Sequence, residues 1–263
     1  MTHYTRKGAR SIKDIPEDIM IQINEGREET ANLTEWLAVD QKILLEHVLR
    51  RLDRPEYIKS VVSRIDQLDR QTVNTRNEAI GETLLTLAAG NHDEEIFYQI
   101  STHLSDTVRC WATYMIAKDS RYVLWEKLER IKPFAADTHF GVREIAWLSL
   151  RPEIADSIAL LSEWVTHENP NIRRFASEAT RPRGVWCTHI EQLKKDPEPG
   201  LSILEPLRSD KVRYVQDSVG NWLNDAGKTR ADFVKELCER WKTESPTKET
   251  AYIIRKAMRS IAG

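Results

Sequence analysis

Glycine and proline are scarce, ten of each in 263 residues. The chain has no Asn-Gly or Asp-Gly pair and no sustained period-two alternation of apolar and polar residues. Those absences argue against hairpins and against a β-rich fold, since tight β-turns depend on such residues. Cysteine is equally sparse. Cys110, Cys187 and Cys238 are odd in number, far apart and without C-x-x-C spacing, which excludes a disulfide framework and a zinc knuckle and predicts reduced, structural thiols. The seven histidines form no H-E-x-x-H, so a metal site finds no ligand set. No apolar run approaches the roughly 20 residues of a membrane span. The N-terminal Met1-Thr2-His3-Tyr4-Thr5-Arg6-Lys7 is not followed by the apolar stretch of a secretion signal. A cytoplasmic chain with no membrane association is therefore expected. A net charge of -2 excludes coating of nucleic acid by bulk electrostatics.

What is present is a chain 40% hydrophobic and 30% charged, sufficient for one extended domain or two compact ones. Its charge is uneven. From Leu160 onward 18 basic residues face 15 acidic ones, leaving the first 159 residues with an excess of five acidic groups. Between Asn171 and Lys195 the bias sharpens to Arg173, Arg174, Arg181, Arg183, Lys194 and Lys195 against Glu178 and Glu191. Such a patch can hold a few phosphates in a salt-sensitive way, or it can be a solvated helix face with intrahelical pairs.

An aliphatic-Arg pair recurs as Val108-Arg109, Val142-Arg143, Ile172-Arg173 and Val212-Arg213, at intervals of 34, 30 and 40 residues. Each follows a turn or cap signal, namely Ser105-Asp106, Asp137-Thr138, Asn169-Pro170 and Ser209-Asp210. Second amphipathic helices are predicted over Tyr122 to Ile131, Ile154 to Val165 and Ala231 to Trp241, and earlier helices over Ser11 to Glu25, Thr30 to Leu52, Glu56 to Leu68 and Thr75 to Ala89. Helix pairs at this period predict an all-α, HEAT-like helical-repeat solenoid with a concave, partly basic cleft. A single domain over residues 1–263 is expected: N-terminal helices and cap to about residue 100, the clearest repeats over about 101–245, and a capping helix over 246–263.

Two helices stand out because each opens near an arginine, is filled with small residues and ends in polar ones: Asn169 to Arg183, and Tyr214 to Lys228. The first, Ile172-Arg173-Arg174-Phe175-Ala176-Ser177-Glu178-Ala179-Thr180-Arg181-Pro182-Arg183 followed by Trp186, resembles the signature block of the AlkC-type DNA alkylation-repair glycosylases. Glu198-Pro199, Ile203 to Leu207, Asp210, Tyr214-Val215, Ser218-Val219 and Asn221 to Asp225 are similar to the family's next block, and Asn24 to Asp40 to its opening. The likeness spans about residues 13 to 260.

That resemblance implies a monomer that binds duplex DNA and hydrolyses the N-glycosidic bond of a cationic alkylated base such as 3-methyladenine, without a cofactor. A positively charged base is a good leaving group, so the chemistry asks mainly for a carboxylate to stabilise an oxocarbenium-like sugar and orient water. Residue by residue, the likeness puts the catalytic carboxylate at Glu144 with Asp225 beside it in role, and assigns DNA or lesion contacts to Arg174, Arg181, Arg183, Trp186, Glu178, Arg173, Asn221 and Asn224. Simpler uses exist for several of them. Glu144 fits a solvated helix position, Trp186 fits burial between repeats, Asp225 fits a helix cap, and Arg174 fits an i,i+4 pair with Glu178.

The sequence departs from the family pattern at Ile145, Ala179, Gly184-Val185, Gln216-Asp217 and Trp222. Asp217 places a negative charge on a helix expected to face phosphates. The chain's end near Gly263 leads to the further expectation that the C-terminal immunoglobulin-like domain of some relatives is lacking. A catalytically silent binder of damaged or branched DNA and a protein-binding HEAT scaffold are the alternatives.

Overall fold

The computed structural model describes residues 6–261, and among them there is no β-strand. The helices are α1 (Glu17–Asn24), α2 (Leu33–Ala38), α3 (Gln41–Arg51), α4 (Pro55–Asp66), α5 (Val73–Asn91), α6 (Glu95–Ser101), α7 (Asp106–Lys118), α8 (Leu124–Ala135), α9 (Phe140–Ile154), α10 (Pro170–Ala179), α11 (Glu191–Lys195), α12 (Leu201–Leu207), α13 (Arg213–Gly227), α14 (Ala231–Glu244) and α15 (Lys248–Ala257). The chain is an all-α, HEAT-like helical-repeat protein. None of the described helices is long and apolar enough to cross a membrane. The chain forms two compact units, one comprising the residues up to Val123 with Thr138–Ser149, the other Leu124–Asp137 with everything from Leu150 onward.

In the first unit, Tyr57, Val61 and Ile65 on α4 repeat every four residues and are fully buried, an apolar stripe that packs on α5. α5 in turn packs on α7. The approach is close because residue 81 is glycine: a Cβ there would lie 2.6 Å from the Trp111 carbonyl oxygen and from Tyr114 Cβ. The helix expected over Thr30 to Leu52 is instead α2 and α3. Val39 adopts φ −59°, ψ 124° and Asp40 then caps α3, its carboxylate accepting from the amides of Lys42 and Ile43. Likewise Ser11 to Glu25 divides at Pro16 into a 3-10 turn (Ile12–Asp14) and α1, as a proline without an N–H requires at a helix start.

In the second unit α13 packs against α10, α14 and α15. Trp222, an expected departure from the family pattern, is fully buried, with its indole against Gly200, where a Cβ would come within 2.3 Å of the ring. Its Nε1 donates to Thr180 Oγ1 at 3.2 Å. The helix expected over Ile154 to Val165 does not form. α9 ends at Ile154, two residues after Pro152, and two 3-10 turns follow, Ile158–Leu161 and Trp164–Thr166. Leu161 and Trp164 are three residues apart and buried, a spacing that suits the three-residue 3-10 period as well as an α-helix. Trp164 meets Phe175 of α10 with ring centroids 4.6 Å apart.

Candidate nucleic-acid interface

In three of its four copies the recurring arginine braces the turn that precedes its helix, Arg213 being the exception. Arg109 Nη1 donates to the carbonyls of His103 and Leu104 at 2.9 and 2.8 Å, and Arg173 Nη1 donates to those of His167 and Glu168 at 2.8 and 2.9 Å. The offsets are the same, six and five residues back. Arg143 makes the corresponding bond to Thr138. In both complete copies the histidine Nδ1 accepts a backbone amide two residues on, Ser105 for His103 and Asn169 for His167. The unit is therefore His-x-Ser/Asn-x-x-aliphatic-Arg, and the histidine was the unread half of the pattern. Arg173 is further held by both oxygens of Asp210, at 2.6 and 3.1 Å, so its guanidinium serves the fold at this position.

One turn along α10, buried charges connect α10 to α13. Arg174 contacts Glu178 at 3.3 Å and its guanidinium carbon lies 4.0 Å from the Tyr214 ring centroid. Glu178 also meets Arg181 Nη1 at 3.1 Å, and Arg181 reaches Asp225 Oδ2 with Nε and Nη2 at 2.9 and 2.7 Å. Lys228 closes on Asp225 Oδ1 at 3.1 Å. Burial pushes the Glu178 carboxyl up, but Arg174 and Arg181 outweigh it and hold the group below the usual carboxylate range. Burial alone would lower Arg181, and Glu178 and Asp225 reverse that and raise it.

The loop leaving α10 is fixed from behind by Arg151, which is 3% exposed at the end of α9. Its guanidinium donates to the carbonyls of Glu178, Ala179, Arg181 and Thr188. Burial pulls Arg151 below its ordinary range. The first two acceptors are the last carbonyls of α10, where a cation is favoured by the helix dipole. On this loop Val185 and Trp186 are 78% and 54% exposed, so Trp186 is displayed to solvent and the expected alternative of burial between repeats does not hold. Arg183 is half-buried. Gly184 is required by its neighbour, since a Cβ there would sit 1.9 Å from Cys187 Sγ.

Glu144 belongs to the first unit, half-buried on α9, where its Oε2 accepts from Trp147 Nε1 at 3.0 Å. The two asparagines of α13 serve the C-terminal segment: Asn224 donates to the Ala257 carbonyl at 3.0 Å and Asn221 accepts from Arg259 at 2.9 Å. Gln216 donates to the Asp210 carbonyl, and Asp217 takes the Tyr252 hydroxyl and Lys256, each at 2.6 Å. Among the described residues no group of three His, Cys, Asp or Glu is placed to hold a metal ion.

Residues 144–261 match the DNA alkylation repair enzyme family. The protein is 39% identical over 140 residues to the uncharacterized protein YhaZ of Bacillus subtilis strain 168, a match covering 52% of this chain and 38% of YhaZ. The chain thus spans well under half the length of that relative. Among solved structures it resembles the Pseudomonas fluorescens alkylpurine DNA glycosylase AlkC bound to DNA containing an abasic site analog, with a TM-score of 0.63 and 23% identity over 97% of this chain and 66% of AlkC. AlkD2 of Streptococcus mutans is similar at a TM-score of 0.60 and 21% identity, over 79% of this chain and 99% of AlkD2. Residues 144–261 of the chain thus match the model of the DNA alkylation repair enzyme family, and its helical-repeat fold is similar to those of AlkC and AlkD2.

Proposed function

We propose that this protein, as a monomer and without a cofactor, binds alkylation-damaged duplex DNA and hydrolyses the N-glycosidic bond of a cationic alkylated base such as 3-methyladenine. The observation that carries the reading is Trp186. The fold uses a buried arginine, Arg151, to fix the loop that displays this large indole half in solvent, inside the segment that matches a DNA repair family. An exposed aromatic face is suited to a positively charged nucleobase, through cation–π attraction and stacking. Arg183, close to it in sequence, supplies positive charge for a flanking phosphate.

The reaction then needs a carboxylate near the sugar. As C1′ loses the base it gains positive charge, which an ionised carboxylate stabilises while accepting a proton from the attacking water. Glu144 and Asp225 are the two candidates. Glu144 is half-buried and turned by the Trp147 indole, as suits a group that meets substrate. Asp225 is 3% exposed and accepts three charged hydrogen bonds, an arrangement that favours holding Arg181. Saturation of Asp225 is also what favours a second reading, a protein that binds damaged DNA without excising bases.

Release of methylated bases from methylated duplex DNA by wild type, Glu144→Gln and Asp225→Asn decides among these. Glu144→Gln is expected to lose at least a hundredfold in release while keeping its affinity for DNA. Equal release by wild type and Glu144→Gln removes Glu144 from the mechanism. Salt-sensitive binding by the wild type with no release moves the protein to the second reading.

A further inference from the structure

The seam between α13 and α15, running from Arg213 at the start of α13 to Asn221, carries three cations, Arg213, Arg255 and Arg259, that the site described above does not use. Along α13 the residues four apart, Arg213, Asp217 and Asn221, form one stripe, and along α15 and the turn after it Tyr252, Lys256 and Arg259 form the facing one. The stripes meet. Tyr252 and Lys256 both bond to Asp217, Arg259 bonds to Asn221, and the Lys256 stem lies flat over Gly220, where a Cβ would stand 2.8 Å from Lys256 Cβ. The guanidinium carbon of Arg213 is 3.5 Å from the Tyr252 ring centroid and that of Arg255 is 5.1 Å from it.

The charges do not balance. Lys211 contacts Glu249 at 3.7 Å and Lys256 neutralises Asp217, so the two carboxylates at this seam are already taken. Arg213, Arg255 and Arg259 are exposed, and none of the three has a carboxylate within ion-pair distance among the described residues. This sets them apart from Arg109, Arg173, Arg174 and Arg181, each anchored by a carboxylate. A guanidinium stacked on a tyrosine is preorganised in its plane and keeps its N–H edges for a bidentate acceptor, and a phosphodiester presents one. The spread of the three groups along two helices suits successive phosphates of a strand rather than one compact anion.

We propose that Arg213 and Arg255, set around Tyr252, together with Arg259, which donates to Asn221, form a docking surface for the sugar-phosphate backbone of duplex DNA, and none of these three arginines is among the residues assigned to lesion contact. The inference rests on the DNA-binding reading given above and adds a second point of attachment to it. It also changes the meaning of Asp217: the negative charge on α13 is paired internally by α15, and the cations of α15 supply the positive face.

The test measures duplex affinity against salt, using an unmodified and a methylated oligonucleotide duplex, for the wild type and for the triple variant Arg213→Gln, Arg255→Gln, Arg259→Gln. These side chains are exposed, and an unfolding midpoint close to wild type establishes that the variant is folded. The expected result is a slope of log affinity on log salt shallower by about two to three, roughly one for each phosphate that the variant no longer neutralises, and at least tenfold weaker binding at low salt on both duplexes. The single variant Asp217→Asn, which leaves all three arginines in place and removes a negative charge, is expected to bind as tightly as wild type or more tightly. A wild type that binds DNA with the same slope as the triple variant overturns the docking surface and leaves the DNA-binding reading intact. A wild type that binds neither duplex at low salt overturns both.

Discussion

Arg181 donates from Nε and Nη2 to one oxygen of Asp225, while its Nη1 holds Glu178. The guanidinium thus joins the carboxylate of Glu178 to that of Asp225, which lies 44 residues beyond Arg181. Asp225→Asn keeps the shape but removes the charge, leaving the half-buried Arg181 guanidinium with one carboxylate in place of two. Removing one partner of a buried pair costs about 3–5 kcal/mol, and the loss here falls at the low end of that range because Arg181 keeps Glu178 and is partly exposed. Urea unfolding of Asp225→Asn is expected to show that loss, and Arg181→Met combined with Asp225→Asn is expected to lose less than the sum of the two single variants. Additive losses would mean that the pair does not couple.

The same network predicts an acid limit for the second unit. Glu178 is held below its ordinary value of 4.5, so its contribution is complete above that value and is lost as pH falls through the lower folded value. Glu178→Gln is expected to be less stable than wild type at neutral pH, with the gap narrowing below pH 4.5. A gap that does not change with pH would show that the charge on Glu178 is irrelevant.

His103 sets a different pH window. Burial, aided by Arg51 and Arg109, lowers it from 6.5 to about 4, and its Nδ1 must stay unprotonated to accept the Ser105 amide. The unfolded chain therefore binds more protons between those two values, and stability falls as pH drops from 6.5 towards 4. The loss is of order 2 kcal/mol after allowance for partial exposure. Denaturation at pH 7.5 and at pH 5 is expected to show a smaller difference for His103→Asn than for wild type.

Arg173→Lys tests the brace. A lysine can approach Asp210 or the loop carbonyls but cannot meet both oxygens of Asp210 and two carbonyls at once. A loss of about 1–2 kcal/mol is expected, with the salt dependence of DNA binding unchanged. A shallower salt slope in this variant would return Arg173 to the set of phosphate-binding residues.

These cases mark what could be read in the sequence. The helices of α4, α5, α8 and α14 follow from apolar spacing, because burial of one stripe demands it. The breaks at Val39 and after Ile154 do not, since periodicity continues through them and the backbone is redirected by a cap in one place and by 3-10 turns in the other. Arginine positions were legible, and so was the pair of Arg174 with Glu178 four residues on, while the partners distant in sequence were not. Asp210 lies 37 residues from Arg173, and Tyr252 lies 39 from Arg213, so a charge that looks available in one dimension is committed in three. The histidine of His-x-Ser/Asn-x-x-aliphatic-Arg was visible at His103 and His167. It carries no meaning until its ring nitrogen is seen closing the turn. Arg151 was silent for a similar reason: its partners are carbonyls, which every residue has.

Gly184 and Cys187 offer the sharpest test of how the Trp186 loop is held. Two residues before the tryptophan stands Gly184, and the space that a side chain at 184 needs is filled by Cys187 Sγ. Arg151 lies behind the same point, its Nη2 3.8 Å from that Cβ position, so the sulfur has little room to retreat. Gly184→Ala alone therefore forces the loop outward and is expected to cost about 1–3 kcal/mol. It should also change the accessibility of Trp186 to a collisional quencher, relative to a Trp186→Phe control that identifies its share of the fluorescence. Cys187→Ala removes the sulfur at a smaller cost, and Gly184→Ala with Cys187→Ala together is expected to recover most of the stability and the wild-type quenching. If the double variant is as unstable as the sum of the two singles, the pair is not coupled, and the glycine is needed for some reason other than the sulfur packed against it.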